Sequence, residues 1–200
     1  MSYQLFESTL TRSNTKSLKR NQIIYHEGDK ADGIYFVESG MVGLFHISEN
    51  GKETFLRVFG PKSMFGHRSF LAKEKYHATT MALTATTIKH ISSEQVEQAI
   101  NQSPELLRSI LEKVARDLGA AEIRMAGLQD KTTNQRIAES MLFLKYKYPT
   151  TVWTRKEIGE YSGSTHESVA RFMSYCESEG IIKKHGRDFE ILDEQKLLNN

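Results

Sequence analysis

Thr154–Gly180 reads TRKEIGEYSGSTHESVARFMSYCESEG. Gly159 is small at a place where two helices must nearly touch, and Gly163 follows where the chain must turn sharply and a positive φ suits glycine. Ser164 or Thr165 then caps a second helix, and Ser164-x-x-Glu167 has the spacing of a capping box. In that helix Val169, Phe172 and Cys176 recur at steps of three and four and form one apolar stripe. His166, Glu167, Ala170, Arg171 and Ser174 fall on the other face. A helix with one packing side and one hydrogen-bonding side suits a DNA major groove. The competing reading is an ordinary corner between packed helices. The joint spacing of Ile158, Gly159, Gly163, Val169 and Phe172 favours a helix-turn-helix. Ser162 departs from that pattern, because its place usually carries an apolar residue.

Composition sets the outer bounds. Two hundred residues allow one large domain or two small ones, and 38% hydrophobic residues suffice for a core. No apolar run is long enough to span a bilayer, and MSYQLFESTLTRSNTKSLKR at the N-terminus lacks the apolar segment of a signal peptide. A soluble, cytoplasmic protein with no membrane partner is the expectation. The single cysteine excludes an intrachain disulfide and a cysteine-rich metal cluster. Net charge is only +2, and from Lys131 onward 11 Lys+Arg face 10 Asp+Glu. DNA binding must therefore come from local placement of charge.

Upstream, Leu18 to about Ser92 reads as short strands: Ile23–Tyr25, Ile34–Val37, Met41–Ile47, Phe55–Phe59, Thr79–Leu83 and Thr86–Ile91. Glycine turns separate them, and Asn50-Gly51 between two alternating runs is a hairpin signal. Regular short strands argue an antiparallel roll rather than a parallel sheet. Ser92-x-x-Gln95 boxes the start of a helix, and Ser103-Pro104 starts another that runs to about Gln129. There Ile110, Val114, Leu118, Ala121, Met125 and Leu128 advance by 4, 4, 3, 4 and 3, a heptad seam suited to pairing with a second copy. Packing on the chain's own β-domain is the other use of that helix, and a helix this long, with Arg108, Glu112, Lys113, Arg116 and Glu122 around it, is expected to do both. Asp130 to Asn134 is polar and reads as a hinge, and a further helix runs from Gln135 to Tyr148 before Pro149 stops it. After the helix-turn-helix, Ile181–Lys184 and Phe189–Leu192 flank His185-Gly186-Arg187-Asp188 and predict a hairpin wing. The fold class is α+β: a roll over residues 1–103, a dimerisation helix and hinge over 104–130, and a winged helix-turn-helix over 131–200.

This order resembles the Crp/Fnr family of bacterial transcription regulators. The carriers are Gln22–Asp29 (QIIYHEGD), Ile34–Gly40 (IYFVESG), Phe65-Gly66, Arg136–Ala138 (RIA) and Thr154–Ile182. The resemblance implies a homodimer on a near-palindromic operator in double-stranded DNA, with RNA polymerase as a further partner and an effector in the roll. It gives Glu167 and Arg171 the base-reading roles, with His166 where cAMP-responsive members carry arginine. Arg171 can donate to guanine O6 and N7, and Glu167 can accept from a cytosine amine or cap its own helix. Thr154, Arg155, Thr165 and Ser174, with Lys183, Lys184 and Arg187 in the wing, are candidate phosphate contacts.

The effector site departs from the family pattern. Cyclic-nucleotide binders follow Phe-Gly with glutamate for the ribose, then arginine and serine for the phosphate. Here those places hold His67, His77 and Ala78, with Arg68 alongside. The long helix offers Gly119 and Ala120 where hydroxyls face the base. A histidine with pKa near 6.5 is a part-time countercharge for a phosphate, so cAMP is not expected to bind tightly. A filled pocket, another small molecule and haem all stay open. Iron–sulfur sensing needs several cysteines, and Cys176 alone reads as a small buried hydrophobe. No cofactor is expected for DNA binding, and no catalytic or metal site is expected. A cupin enzyme would need His-x-His spacing, which His26, His46, His67, His77 and His90 lack. A ligand-binding module without DNA readout is the other alternative, and it leaves the helix-turn-helix unexplained.

Overall fold

The computed structural model describes residues 2–49, 51 and 53–199, and the chain divides into two compact units at Ala121/Glu122. In the first unit, short helices α1 (Ser2–Leu5) and α2 (Glu7–Leu10) precede strands β1 (Asn14–Leu18), β2 (Ile23–Tyr25), β3 (Gly33–Ser39), β4 (Val42–Ile47), β5 (Glu53–Phe59) and β6 (Met64–Phe65). Helix α3 (His67–Ala72), strands β7 (Thr79–Ala82) and β8 (Thr86–Ser92), and helix α4 (Ser93–Gln102) follow. The strands form two antiparallel four-stranded sheets, β1-β8-β3-β6 and β2-β7-β4-β5.

Strand period explains the burial. β3 sends Tyr35 and Val37 into a core shared with Val42, Leu44, Phe59, Phe65 and Ile88. Its alternate residues Ile34 and Phe36 enter a second core with Phe6, Leu10, Val96, Leu106 and Ile110. Buried on both faces, β3 reads as a continuous apolar run rather than an alternating one. Ile47 and Glu53 face each other across the β4–β5 hairpin; Asn50 of the expected turn lies outside the described residues. The box at Ser92 and Gln95 forms as read.

Helix α5 (Pro104–Asp130) contributes to both units. The division between the two units thus falls inside it. Its first turns place Leu106 and Ile110 in the second core of the roll, with Val114 half-buried beside them. Ile110 is fully buried within a single chain, which removes it from the outward seam. The exposed apolar row is Leu111, Leu118 and Met125, one heptad apart, with Ala121, Ile123 and Leu128 also exposed.

The second unit continues with α6 (Thr133–Lys147), α7 (Arg155–Ser162), α8 (His166–Ser178), β9 (Ile182–His185), β10 (Asp188–Ile191) and α9 (Glu194–Leu198). α6 starts two residues earlier than Gln135 because Thr132 caps it in a box with Gln135. Ile137, Met141, Leu144, Trp153, Ile158, Val169, Phe172, Cys176 and Phe189 are buried. β9 and β10 pair with His185 opposite Asp188, which makes the predicted wing. The end of α5 belongs to this unit: Arg124 stacks over Tyr161 at 4.3 Å and donates to the Tyr161 carbonyl.

Candidate functional site

Backbone geometry sets how α7 and α8 present their side chains. Thr154 caps α7, and its hydroxyl and amide bond Glu157, which is buried and returns the box. Gly163 takes φ 66 to end α7. A side chain on Gly159 would meet the Ser164 carbonyl at 3.1 Å, so glycine there permits the close approach of the turn. Ser162, the polar departure, is buried and donates to the Gly159 carbonyl at 3.2 Å. Its hydroxyl is thus satisfied locally, and the site needs no apolar residue.

The predicted Ser164–Glu167 box does not form. Thr165 is the cap, with φ -87 and ψ 157, and its hydroxyl accepts from Ser168 N at 3.1 Å. The Ser164 hydroxyl is buried without a hydrogen-bond partner. Val169, Phe172 and Cys176 face inward, while His166, Glu167, Arg171 and Ser174 are exposed. Backbone N–H at the start of α8, then the Thr165 hydroxyl, hold the Glu167 carboxyl below its ordinary range, with His166 and Arg171 adding to the effect. Glu167 is therefore anionic at neutral pH and serves the end of its own helix. Burial pushes the Cys176 thiol up to about 11.

A pocket of about 380 Å³ adjoins α8, lined by Thr133, Asn134, Ser168, Arg171, Phe172 and Tyr175. Thr133 and Asn134 are the first residues of α6, where amides lack helical partners and the helix dipole is positive. Together with the Arg171 guanidinium this recess suits an anion such as a phosphate. Sequence reading missed Thr133, Asn134 and Tyr175. The Thr132-x-x-Gln135 spacing was the available signal for the first two. Arg155 and Thr154 are exposed at the start of α7. In the wing, Lys183 and Arg187 are exposed, whereas Lys184 pairs with Glu177 at 2.7 Å and donates to Ser174 at 3.4 Å. Lys184 and Ser174 are thus partly engaged with each other.

In the roll, the four residues read as an effector lining differ in exposure. His67 and Ala78 are buried. Arg68 lies at the surface against Glu74 at 3.2 Å, and His77 is exposed, 3.4 Å from the Ser69 hydroxyl. Burial lowers the pKa of His67, and partial desolvation of the ring, then the nearby Arg68 charge, lowers that of His77, which leaves both mainly neutral at pH 7. This set does not fit a cyclic phosphate. A different cluster occupies the place where roll and α5 meet. Arg57 of β5 pairs with the Asp117 carboxylate and donates to the Asp117 carbonyl at 2.8 Å. Lys113 donates to the same carboxylate at 2.6 and 2.7 Å, and His67 Nε2 stands 3.6 Å away. Burial opposes ionisation of Asp117, but His67, Lys113 and Arg57 prevail and hold its carboxyl far below the usual range. Among the described residues, no group of three or more His, Cys, Asp or Glu side chains is arranged to hold a metal ion, and no helix is long and apolar enough to cross a membrane.

Comparison with known proteins adds to this geometry. The family described as a cyclic nucleotide-binding domain matches residues 15–103, and that described as a Crp-like helix-turn-helix domain matches residues 135–199. The chain is similar to the transcriptional activator protein Anr of Pseudomonas aeruginosa, 26% identical over 191 residues, covering 91% of this chain and 78% of that one. It is 27% identical over 178 residues to the cAMP-activated global transcriptional regulator CRP of Salmonella typhimurium, covering 84% of each. The solved structure of FixK2 from Bradyrhizobium japonicum shares the fold, with a TM-score of 0.85 at 24% identity over 94% of this chain and 96% of that one.

Proposed function

This chain belongs to the Crp/Fnr family of DNA-binding transcription regulators, and we propose that it acts as a homodimer that reads a near-palindromic operator through Arg171 and Glu167. The observation that carries the reading is the division of α8. Its apolar stripe is locked into the second unit, and Arg171 is left exposed beside the anion-suited recess at the start of α6. A guanidinium so placed can enter a major groove while the recess holds the adjoining phosphate. Glu167, anionic at the front of α8, accepts from a cytosine amine or orients Arg171. Lys183 and Arg187 supply wing contacts to the backbone, and Arg155 and Thr165 supply them at the helix-turn-helix. The paired α5 helices set two copies of α8 about 34 Å apart, on successive major grooves. RNA polymerase is the further partner in transcription.

cAMP is not the signal under this reading, because His77 and Ala78 stand where the family carries its phosphate contacts and neither supplies a permanent cation. Selection of bound sequences from random duplexes, followed by anisotropy titration across salt, tests the function. The expected result is a two-fold-symmetric site whose affinity falls steeply with salt as counterions are released. Uniform affinity for every duplex would overturn specific readout. Addition of cAMP at micromolar concentration is expected to leave the melting temperature unchanged.

A further inference from the structure

We propose that the roll contains a carboxylate-binding site that the chain fills with its own Asp117, so that the tie between roll and pairing helix is built in rather than delivered by a small molecule. The proposal rests on the regulator reading above only for its link to DNA binding. The site itself stands on local geometry. Arg57 lies opposite Leu44 in the β4–β5 ladder and so shares the core-facing side of β5 with Phe59. A charge on that side needs a partner, and the partner comes from a helix 60 residues along the chain. The grip is double: one Arg57 nitrogen takes the Asp117 carboxylate and the other takes the backbone carbonyl of the same residue.

Asp117 also continues the inward row of α5, after Ile110 and Val114. Where the row turns from apolar to acidic, the roll answers with Arg57 and His67. Lys113 closes the cage from one turn earlier. Two permanent cations thus surround one anion whose side chain is only 19% exposed. An isolated carboxylate so far from water is costly, and a single cation would neutralise it. The excess of positive charge is the pattern of an anion receptor with its anion already supplied. His67 is held in the cage although its Nδ1 is buried without a hydrogen-bond partner. A tethered ligand has a high effective concentration, so free anions do not compete with it.

Removing the acid is expected to convert this cage into a receptor for free carboxylates. The test melts full-length D117A in chloride and in about 100 mM acetate of matched ionic strength, a concentration near the millimolar range of a tethered group. D117A is expected to melt below wild type in chloride, and acetate is expected to raise its melting point by about 3 °C more than that of wild type. R57A/D117A is expected to lose that response. A D117A protein that melts like wild type, or that gains no more from acetate than wild type does, overturns the proposal, as does an equal response in the double variant. If D117A does not accumulate as folded protein, R57A, D117N and their double variant serve instead. Strongly non-additive losses support the cage and additive losses overturn it. Acetate is also expected to restore operator binding to D117A; restored melting without restored binding overturns the tie. Failure of wild type to bind any operator counts against the proposed function and leaves the melting comparison intact.

Discussion

Arg171 and Phe172 are sequence neighbours with opposite surroundings, one exposed and one buried. That contrast makes their variants separable. Arg171→Ala removes one base contact from each half-site of the proposed dimer, so at roughly 1–3 kcal/mol apiece it is expected to lose at least about 30-fold in operator affinity. Its melting temperature is expected to stay near wild type, because exposed substitutions change stability by about 0.5 kcal/mol or less. A titration paired with calorimetry checks both. Glu157 is the reverse case. It is buried in the cap of α7. Glu157→Ala is expected to cost about 1 kcal/mol of stability, or a fall of roughly 2–4 °C in melting temperature, by loss of the box. Operator affinity measured well below that transition is expected to change little. The Ser164–Glu167 spacing fitted a box equally well. Spacing alone does not say which residue adopts extended backbone, and Thr165 does so here.

Among the elements, α5 carries two apolar rows, and sequence periodicity merged them into one seam. Ile110 and Val114 belong to the row that covers the roll, and Leu111, Leu118 and Met125 to the row that faces outward. The period locates apolar faces but not their partners, which depend on what packs against each turn. Leu118→Arg is therefore expected to dissociate the dimer while the roll stays folded, as read by light scattering and circular dichroism. Ile110→Ala is expected to cost about 2–5 kcal/mol of stability, as a buried truncation does, without separately weakening the dimer. The helix-turn-helix, the wing and the buried strands were legible because their signals are local: a cap, a glycine turn, a short apolar run. β6 and α3 were not, because each is too short for a period to show. The Asp117 cage was hidden for a different reason. Arg57 and Asp117 meet only after β5 and α5 have found their places, and their 60-residue separation leaves no pattern to read.

At the scale of the molecule, three histidines with lowered pKa values make the roll sensitive to acid. His67, His77 and His90 all have pKa values below the ordinary 6.5, chiefly because their rings are desolvated, almost fully for His67 and in part for the other two. The unfolded chain therefore takes up protons first as pH falls through about 6.5. Their contribution is fully present above that pH and erodes below it. Asp117 adds a second loss below about pH 4, where the unfolded carboxyl protonates and the caged one does not. The melting temperature is expected to fall steadily from pH 7.5 to 5.5, and His67→Gln is expected to flatten part of that slope. Cys176 extends the same contrast between inside and outside to time. It is the single thiol in 200 residues, fully buried behind the reading face of α8, with its pKa raised to about 11. A thiol reagent therefore has one target, and can reach it only when the second unit opens. Its rate of modification becomes a clock for that opening, and bound operator is expected to slow it, without any label or engineered residue.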